Sequence, residues 1–269
     1  DYLVTGVLGG FQIPAYIAGQ VIIIAAIIFL GPKGFLAINS TSLVAVEKIY
    51  QATDGKIVRL IPMMHIGKED FYKKISQIDA AEKTLVLAEG VKDDLKELEG
   101  LDYSDLANSF GLSRQGEHFT PEAKNEENNN KLFFIAERIK TSDMSAQTIS
   151  LLKKIFKSFK KNKNKRNDLL GKLTNSNIKI TGDGYISLRN DLLDLRTNDL
   201  IAQFDKHEGK FKKVIIPWGA LHMPDIELAL IKRGYIFQSE VKRELIRWDE
   251  IFEKVKNKNT SLSRLPASK

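Results

Sequence analysis

An uncharged apolar stretch of twenty residues, Phe11–Leu30, sets the first limit on how this chain folds. At about 1.5 Å per residue, a helix of that length matches the ~30 Å hydrocarbon core of a bilayer. Gly31-Pro32 follows as a helix stop, and Lys33 adds a positive flank. The pattern predicts one transmembrane helix with its flank over residues 1–38.

Two other interpretations of the same stretch stay open. A signal peptide begins with a basic region, whereas the printed chain opens on Asp1. A buried core helix without a polar face would be unusual in a domain of this size. Lys33 and Lys48 follow the stretch and no cationic residue precedes it, so the positive-inside tendency predicts a single-pass protein with its soluble domain on the cytoplasmic side.

Charge and cysteine content exclude several classes of function. The net charge is +7, but eight basic residues and no acidic ones lie between Lys153 and Arg166, so the positive excess is local. The sequence contains no recognised nucleic-acid-binding module, and we expect no nucleic-acid partner. The lysines of the run are either a solvated helix face or a surface for anionic lipid. The absence of cysteine excludes disulfides, thiolate catalysis and cysteine-bound metals.

Residues 39–257 alternate between strand-like and helix-like patterns, which predicts a single α/β domain with a mostly parallel sheet flanked by helices. Asp54-Gly55 predicts a hairpin turn between the first two strands. A Lys/Asn-rich connection is expected at about 160–178 and a disordered tail at 258–269. The predicted strands are Ser42–Tyr50, Lys56–Met64, Thr84–Ala88, Val214–Trp218 and Tyr235–Ser239. The predicted helices are Lys68–Ile78, Asp93–Leu98, Tyr103–Phe110, Lys131–Lys140, Ala146–Lys160, Ser187–Phe204 and Asp225–Arg233.

Three polar residues with metal-binding or acid–base chemistry follow predicted strands. His65 follows the second strand, Glu89 the third, and His222 comes after the strand that ends in Trp218-Gly219. Because ligands bind at the carboxyl ends of strands in open α/β sheets, the three side chains are candidates for one site. Two histidines and a carboxylate could hold a divalent metal with open positions, although each could also be an ordinary hydrogen-bonded residue.

The order of these motifs resembles the TraB/Tiki-like superfamily, which also contains erythromycin esterases and haem-binding lipoproteins. Gly219–His222, followed by Arg233-Gly234-Tyr235, is similar to the C-terminal Gly-x-x-His signature of that family. The segment from His65 to Glu89 is similar to its first Gly-x-x-His block, with Pro62 where the family has glycine. Arg189-Asn190 is similar to the Arg-Asn or Arg-Asp that opens a later helix.

The resemblance implies an α/β fold of two related halves and, in Tiki-like members, metal-dependent peptide hydrolysis. It implies that His65 and His222 bind a divalent metal such as Mn, Co or Zn, and that Glu89 is a further metal ligand or the catalytic general base. Arg189 would then stabilise the oxyanion. The expectation is a membrane-anchored metal-dependent hydrolase acting on peptides. The alternatives are a catalytically inactive accessory or scaffold subunit with membrane protein partners, and a ligand-binding domain.

Overall fold

A computed structural model describes residues 34–77, 84–99, 104, 107–108, 111–118, 131–135, 139–160 and 182–251. The predicted transmembrane helix lies outside these ranges, as do most of the Lys/Asn-rich connection and the C-terminal tail. Among the helices within them, none has the length and apolar character needed to cross a bilayer.

A mixed seven-stranded sheet forms the centre of the described part of the domain. The strands of the described residues are β1 Leu36–Ile38, β2 Ser42–Gln51, β3 Ile57–Met63, β4 Ile66–Gly67, β5 Thr84–Ala88, β6 Ser113–Arg114, β7 Lys131–Ile135, β8 Lys213–Gly219 and β9 Ile236–Arg247. Strands β3, β8, β5 and β7 run parallel in that order, with β7 at the end, and β2 continues the sheet beyond β3 with antiparallel neighbours. A two-residue pair, β4 with β6, lies apart.

The turn between β2 and β3 has the predicted hairpin geometry. Gln51 pairs with Ile57 across the turn, and Gly55 has φ +85°, a backbone conformation that favours glycine. The Asp54 carboxylate accepts a hydrogen bond from the Lys56 N–H at 3.0 Å. These local contacts fix the register of the two strands, and β3 then runs parallel to β8 over seven residue pairs.

Helices cover both faces of the sheet because strand residues alternate between two apolar clusters. The helices are α1 Glu69–Ser76, α2 Gln115–His118, α3 Ala146–Lys160, α4 Gly182–Arg189, α5 Leu195–His207 and α6 Met223–Lys232. In β5, Leu85 and Leu87 pack on one face with α5 and α6, whereas Val86 and Ala88 pack on the other with α1. A π-helical segment, Asn190–Asp194, joins α4 to α5 without a break.

Two helix predictions are wrong within the described residues. The segment from Lys131 begins with strand β7, because its apolar run Leu132–Ile135 continues the parallel sheet beside β5. Asp93–Leu98 forms turns instead of a helix, because the Asp93 carboxylate accepts hydrogen bonds from the Glu97 and Leu98 N–H groups and Lys96 has φ +53°. An Asp side chain that binds nearby backbone competes with helix formation.

One buried carboxylate ties three strands together. The side chain of Glu47 in β2 is fully buried and bonds to Arg59 of β3 and Arg243 of β9, with 2.7 Å from Arg243 Nε to Glu47 Oε2. A charge taken out of water is costly unless it is paired and hydrogen-bonded. The two guanidinium groups therefore compensate the burial of one anion.

Replacing Glu47 by Gln removes the anion and leaves both arginines uncompensated. We expect a loss of about 2–3 kcal/mol in unfolding free energy, below the roughly 3–5 kcal/mol typical of fully buried pairs because both arginines are partly exposed. Urea unfolding of the two proteins measures the difference. The control is Glu240→Gln, which breaks an exposed ion pair with Lys242 and should leave the urea concentration at the unfolding midpoint unchanged. An equal loss of stability in the two variants would contradict the role of the buried carboxylate.

Candidate functional site

Three neighbouring parallel strands bring the predicted site residues to one edge of the sheet. β8 lies between β3 and β5 and is parallel to both, so the carboxyl ends of all three strands point the same way. His65 lies just beyond β3, Glu89 directly after β5, and His222 at the end of the short 3₁₀ turn Ala220–His222 after β8. The structure thus places His65, Glu89 and His222 in one neighbourhood.

The Glu89 carboxylate is the centre of this neighbourhood, and only 7% of its side chain is exposed. Its Oε1 bonds to the Arg196 guanidinium, and its Oε2 accepts the Gly219 N–H at 2.7 Å. Burial alone would raise the pKa of the Glu89 carboxyl. The charge of Arg196, with smaller contributions from His222, His65 and the Gly219 N–H, holds that pKa below its ordinary value. Glu89 is therefore an anion at neutral pH.

Arg196 and the residue after it, Thr197, come from the first turn of α5 and were not among the predicted site residues. Arg196 bonds to Glu89, and the Thr197 hydroxyl lies 2.8 Å from Nδ1 of His222. The Nε atom of Arg196 is buried and has no hydrogen-bond partner within the described structure. A buried donor without an acceptor is costly and often marks a functional position.

Arg189, predicted to stabilise an oxyanion, lies elsewhere. Its side chain is 52% exposed, and Nε lies 3.7 Å from the Asp194 carboxylate. In an ideal helix, residues seven apart share a face to within about 20°. The π-helical segment between α4 and α5 breaks that relation, so Arg196 faces Glu89 and Arg189 faces solvent. The sequence offers both arginines at helical spacing and carries no simple signal for the π segment.

His222 is buried, with 4% of its side chain exposed. Its Nε2 lies 3.8 Å from Glu89 Oε1, and its ring stands perpendicular to that of Trp218, with 6.0 Å between centroids. Burial lowers the pKa of His222 to about 4, and Arg196 adds to this shift while Glu89 opposes it. His222 is therefore a neutral imidazole at pH 7.

His65 is the exposed histidine of the site. Its loop is fixed from two sides, because the Tyr72 hydroxyl donates to the Met64 carbonyl at 2.8 Å and the Gln115 N–H donates to the His65 carbonyl at 2.9 Å. Surrounding protein atoms lower the pKa of His65 by desolvation, with Glu89 opposing the shift and Arg196 adding to it. A neutral imidazole thus lies within electrostatic reach of the buried ion pair.

A glycine is needed at position 219 of the Gly-x-x-His motif because a side chain has no room there, and not because the backbone has a positive φ. A Cβ there would lie 2.9 Å from Glu89 Oε2 and 3.4 Å from His222 Cδ2. Pro62, which stands where the family has the glycine of the first motif, does not make such an approach. It is paired with Trp218 inside the β3–β8 register, whereas Gly219 is paired with Met63. The close approach to Glu89 is therefore made by the second motif.

The donor set fits a metal ion poorly. Among the described residues, no group of three or more His, Asp or Glu side chains is arranged to hold a metal. Both Glu89 oxygens already accept hydrogen bonds, and one of the donors is a guanidinium cation that would repel a nearby metal ion. The metal role of His65, Glu89 and His222 stays a prediction from the sequence, and we base no chemical step on it.

Comparison with known proteins gives no independent identification. No family model matches the chain, and neither a characterised protein nor a solved structure matches it. Functional inference therefore rests on the geometry of the site.

Substituting Gly219 by Ala should displace the Glu89 carboxylate. The 2.9 Å contact is shorter than side chains tolerate, so we expect a loss of about 1–3 kcal/mol in unfolding free energy, as for overpacked cores. Urea unfolding at pH 7 measures it. The matched control is Gly209→Ala, where a new Cβ would meet nothing within 4 Å; a Gly219 variant as stable as this control would contradict the contact.

The depressed pKa of His222 predicts a specific loss of stability in acid. The unfolded chain binds a proton on this residue near pH 6.5 and the folded chain near pH 4, so stability is full above 6.5 and falls as pH drops towards 4. We expect His222 to account for roughly 2–4 kcal/mol of that fall.

Unfolding free energies of wild type and His222→Gln, measured between pH 7.5 and 4, isolate this contribution. The difference in unfolding free energy between wild type and His222→Gln should become smaller as the pH falls from about 6.5 towards 4. His118→Gln, at a histidine in α2 whose Nε2 lies 3.9 Å from the Glu69 carboxylate, is the control and should follow wild type. A constant gap across the window would show that His222 titrates normally.

Proposed function

We propose that this domain is a hydrolase of acyl bonds that activates water with His65 beside the buried Glu89–Arg196 ion pair. The observation that supports it most is the arrangement of four polar groups, His65, Glu89, Arg196 and His222, at the carboxyl edge of three adjacent parallel strands. Ligand sites in open α/β sheets are found at this edge. Only His65 among the four is exposed, which makes it the group that meets water and substrate.

In this proposal His65 is the general base. A neutral imidazole takes a proton from water as the water oxygen bonds to the acyl carbon, and it returns the proton to the leaving oxygen or nitrogen as that bond breaks. The negative charge of Glu89 favours the imidazolium that forms between the two steps, as the opposing electrostatic effect of Glu89 on the His65 pKa indicates.

Arg196 replaces Arg189 as the proposed oxyanion-stabilising residue. Its guanidinium is anchored by one bond to Glu89 and retains 12% exposure. A fixed positive charge in a poorly solvated site stabilises developing negative charge without reorganisation. Peptides are the expected substrate class because the motifs resemble those of the TraB/Tiki-like superfamily. The membrane anchor and the two related halves are further parts of this proposal that come from the sequence.

A catalytically inactive accessory subunit is the second candidate. Two observations favour this candidate: both carboxylate oxygens of Glu89 already accept hydrogen bonds from the protein, and His222 is buried. A saturated buried network can simply rigidify a core. The two candidates differ in whether His65 performs chemistry.

Hydrolysis of nitrophenyl esters and a fluorogenic peptide library, measured with the purified full chain in EDTA and again with added Mn, Co or Zn, tests the proposal. We expect activity that persists in EDTA. His65→Gln should reduce kcat by about 10²–10⁴-fold, since general-base catalysis contributes that much. Arg196→Lys should reduce it by roughly 10²–10³-fold, as for loss of an oxyanion donor.

Arg189→Lys is the matched control, because that arginine lies at the surface and should keep wild-type kinetics. Activity that disappears in EDTA and returns with a metal would overturn the metal-free mechanism and support the metal-dependent hydrolase. A folded chain without activity under any of these conditions would support the accessory subunit.

A further inference from the structure

A buried hydrogen bond between α5 and the turn after β8 takes no direct part in the proposed reaction. Thr197 and His222 are both buried, and Thr197 Oγ1 lies 2.8 Å from His222 Nδ1. Thr197 is the neighbour of Arg196 in the chain, so one helical turn contacts both Glu89 and His222. A hydroxyl can donate to Nδ1 or accept from it, so the direction of this hydrogen bond is linked to which nitrogen of His222 carries the proton.

The charges around the ring select one of the two neutral tautomers. Nε2 of His222 faces Glu89 Oε1 from 3.8 Å, longer than a hydrogen bond but close enough for a strong charge–dipole interaction. A carboxylate there favours an N–H at Nε2 and disfavours a lone pair. Nδ1 is then an acceptor, and the Thr197 hydroxyl is the donor in the 2.8 Å contact.

We infer that Thr197 is a positioning residue: its hydroxyl donates to Nδ1 of His222 and holds this histidine as the Nε2–H tautomer directed at Glu89. The inference deepens the proposed hydrolase and rests on it for its catalytic consequence. His222 then contributes a fixed dipole that helps to keep Glu89 ionised, and it is neither a base nor a metal ligand. The tautomer itself depends only on the contacts of His222.

The surroundings of the ring support a fixed orientation. The Trp218 ring lies edge-on to His222 at 90°, and an alanine Cβ at position 219 would lie 3.4 Å from His222 Cδ2, so these two residues border the ring. Thr197 itself is 5% exposed. The packing leaves the Thr197 hydroxyl as the described partner of Nδ1.

Long-range ¹H–¹⁵N correlation spectra of the full chain with labelled histidine test the inference at pH 7. The chain has four histidines, and the signals of His222 are those lost in His222→Gln. We expect the pattern of an Nε2–H tautomer in wild type. An Nδ1–H tautomer would overturn the inference, and this measurement requires no variant of Thr197.

Two variants, Thr197→Val and Thr197→Ser, then distinguish the effect of the Thr197 hydroxyl from the effect of the side chain's volume. Valine keeps the volume but removes the donor, so the His222 signals should move towards a mixture of tautomers. Serine keeps the hydroxyl and should restore the wild-type pattern. Unchanged His222 signals in the valine variant would overturn the role of Thr197.

The same variants connect the tautomer to catalysis. We expect Thr197→Val to lower kcat about tenfold with little change in KM, with recovery in Thr197→Ser; equal kcat in all three proteins would overturn the positioning role. An inactive wild type that shows the Nε2–H tautomer would contradict the hydrolase proposal and leave the hydrogen bond established, so the two failures are distinguishable.

Discussion

The buried carboxylate of Glu89 is the interaction on which the rest of the site depends. An anion with 7% of its surface exposed is stable only when its lost hydration is replaced, and Arg196 and the Gly219 N–H replace it. These partners come from α5 and from the end of β8, while Glu89 follows β5. One charge therefore fixes a helix and two strand ends relative to each other, and His222 and His65 acquire their electrostatic environment from the resulting ion pair.

The π-helical segment explains how α5 reaches this edge with two useful side chains. It precedes Arg196 and changes the helical register, so that Arg196 meets Glu89 while Thr197 meets His222. Such segments are often found at functional sites. Asp191 within it accepts hydrogen bonds from the Ser145 N–H at 2.9 Å and the Ser145 hydroxyl at 2.6 Å, which ties the segment to the start of α3. The register of α5 is thus held from outside the site.

Much of the fold follows from local patterns, because a hairpin turn and short apolar strands have clear signals. The shared location of His65, Glu89 and His222 could also be predicted from the sequence, since residues that follow parallel strands lie at the same edge of the sheet. The role of Arg196 could not be predicted. Whether Arg196 or Arg189 faces the sheet depends on the π-helical segment, which hydrophobic spacing does not reveal. Strand β7 was missed because its short apolar run fits either a strand or a buried helix, and only pairing with β5 decides between them.

A double-mutant cycle on Glu89 and Arg196 tests the central claim most directly. Unfolding free energies of wild type, Glu89→Gln, Arg196→Met and the double variant give the coupling between the two side chains. If the ion pair organises the site, removal of either partner leaves a poorly solvated charge, and the coupling should reach about 2–3 kcal/mol. Additive effects, with a coupling near zero, would contradict the account.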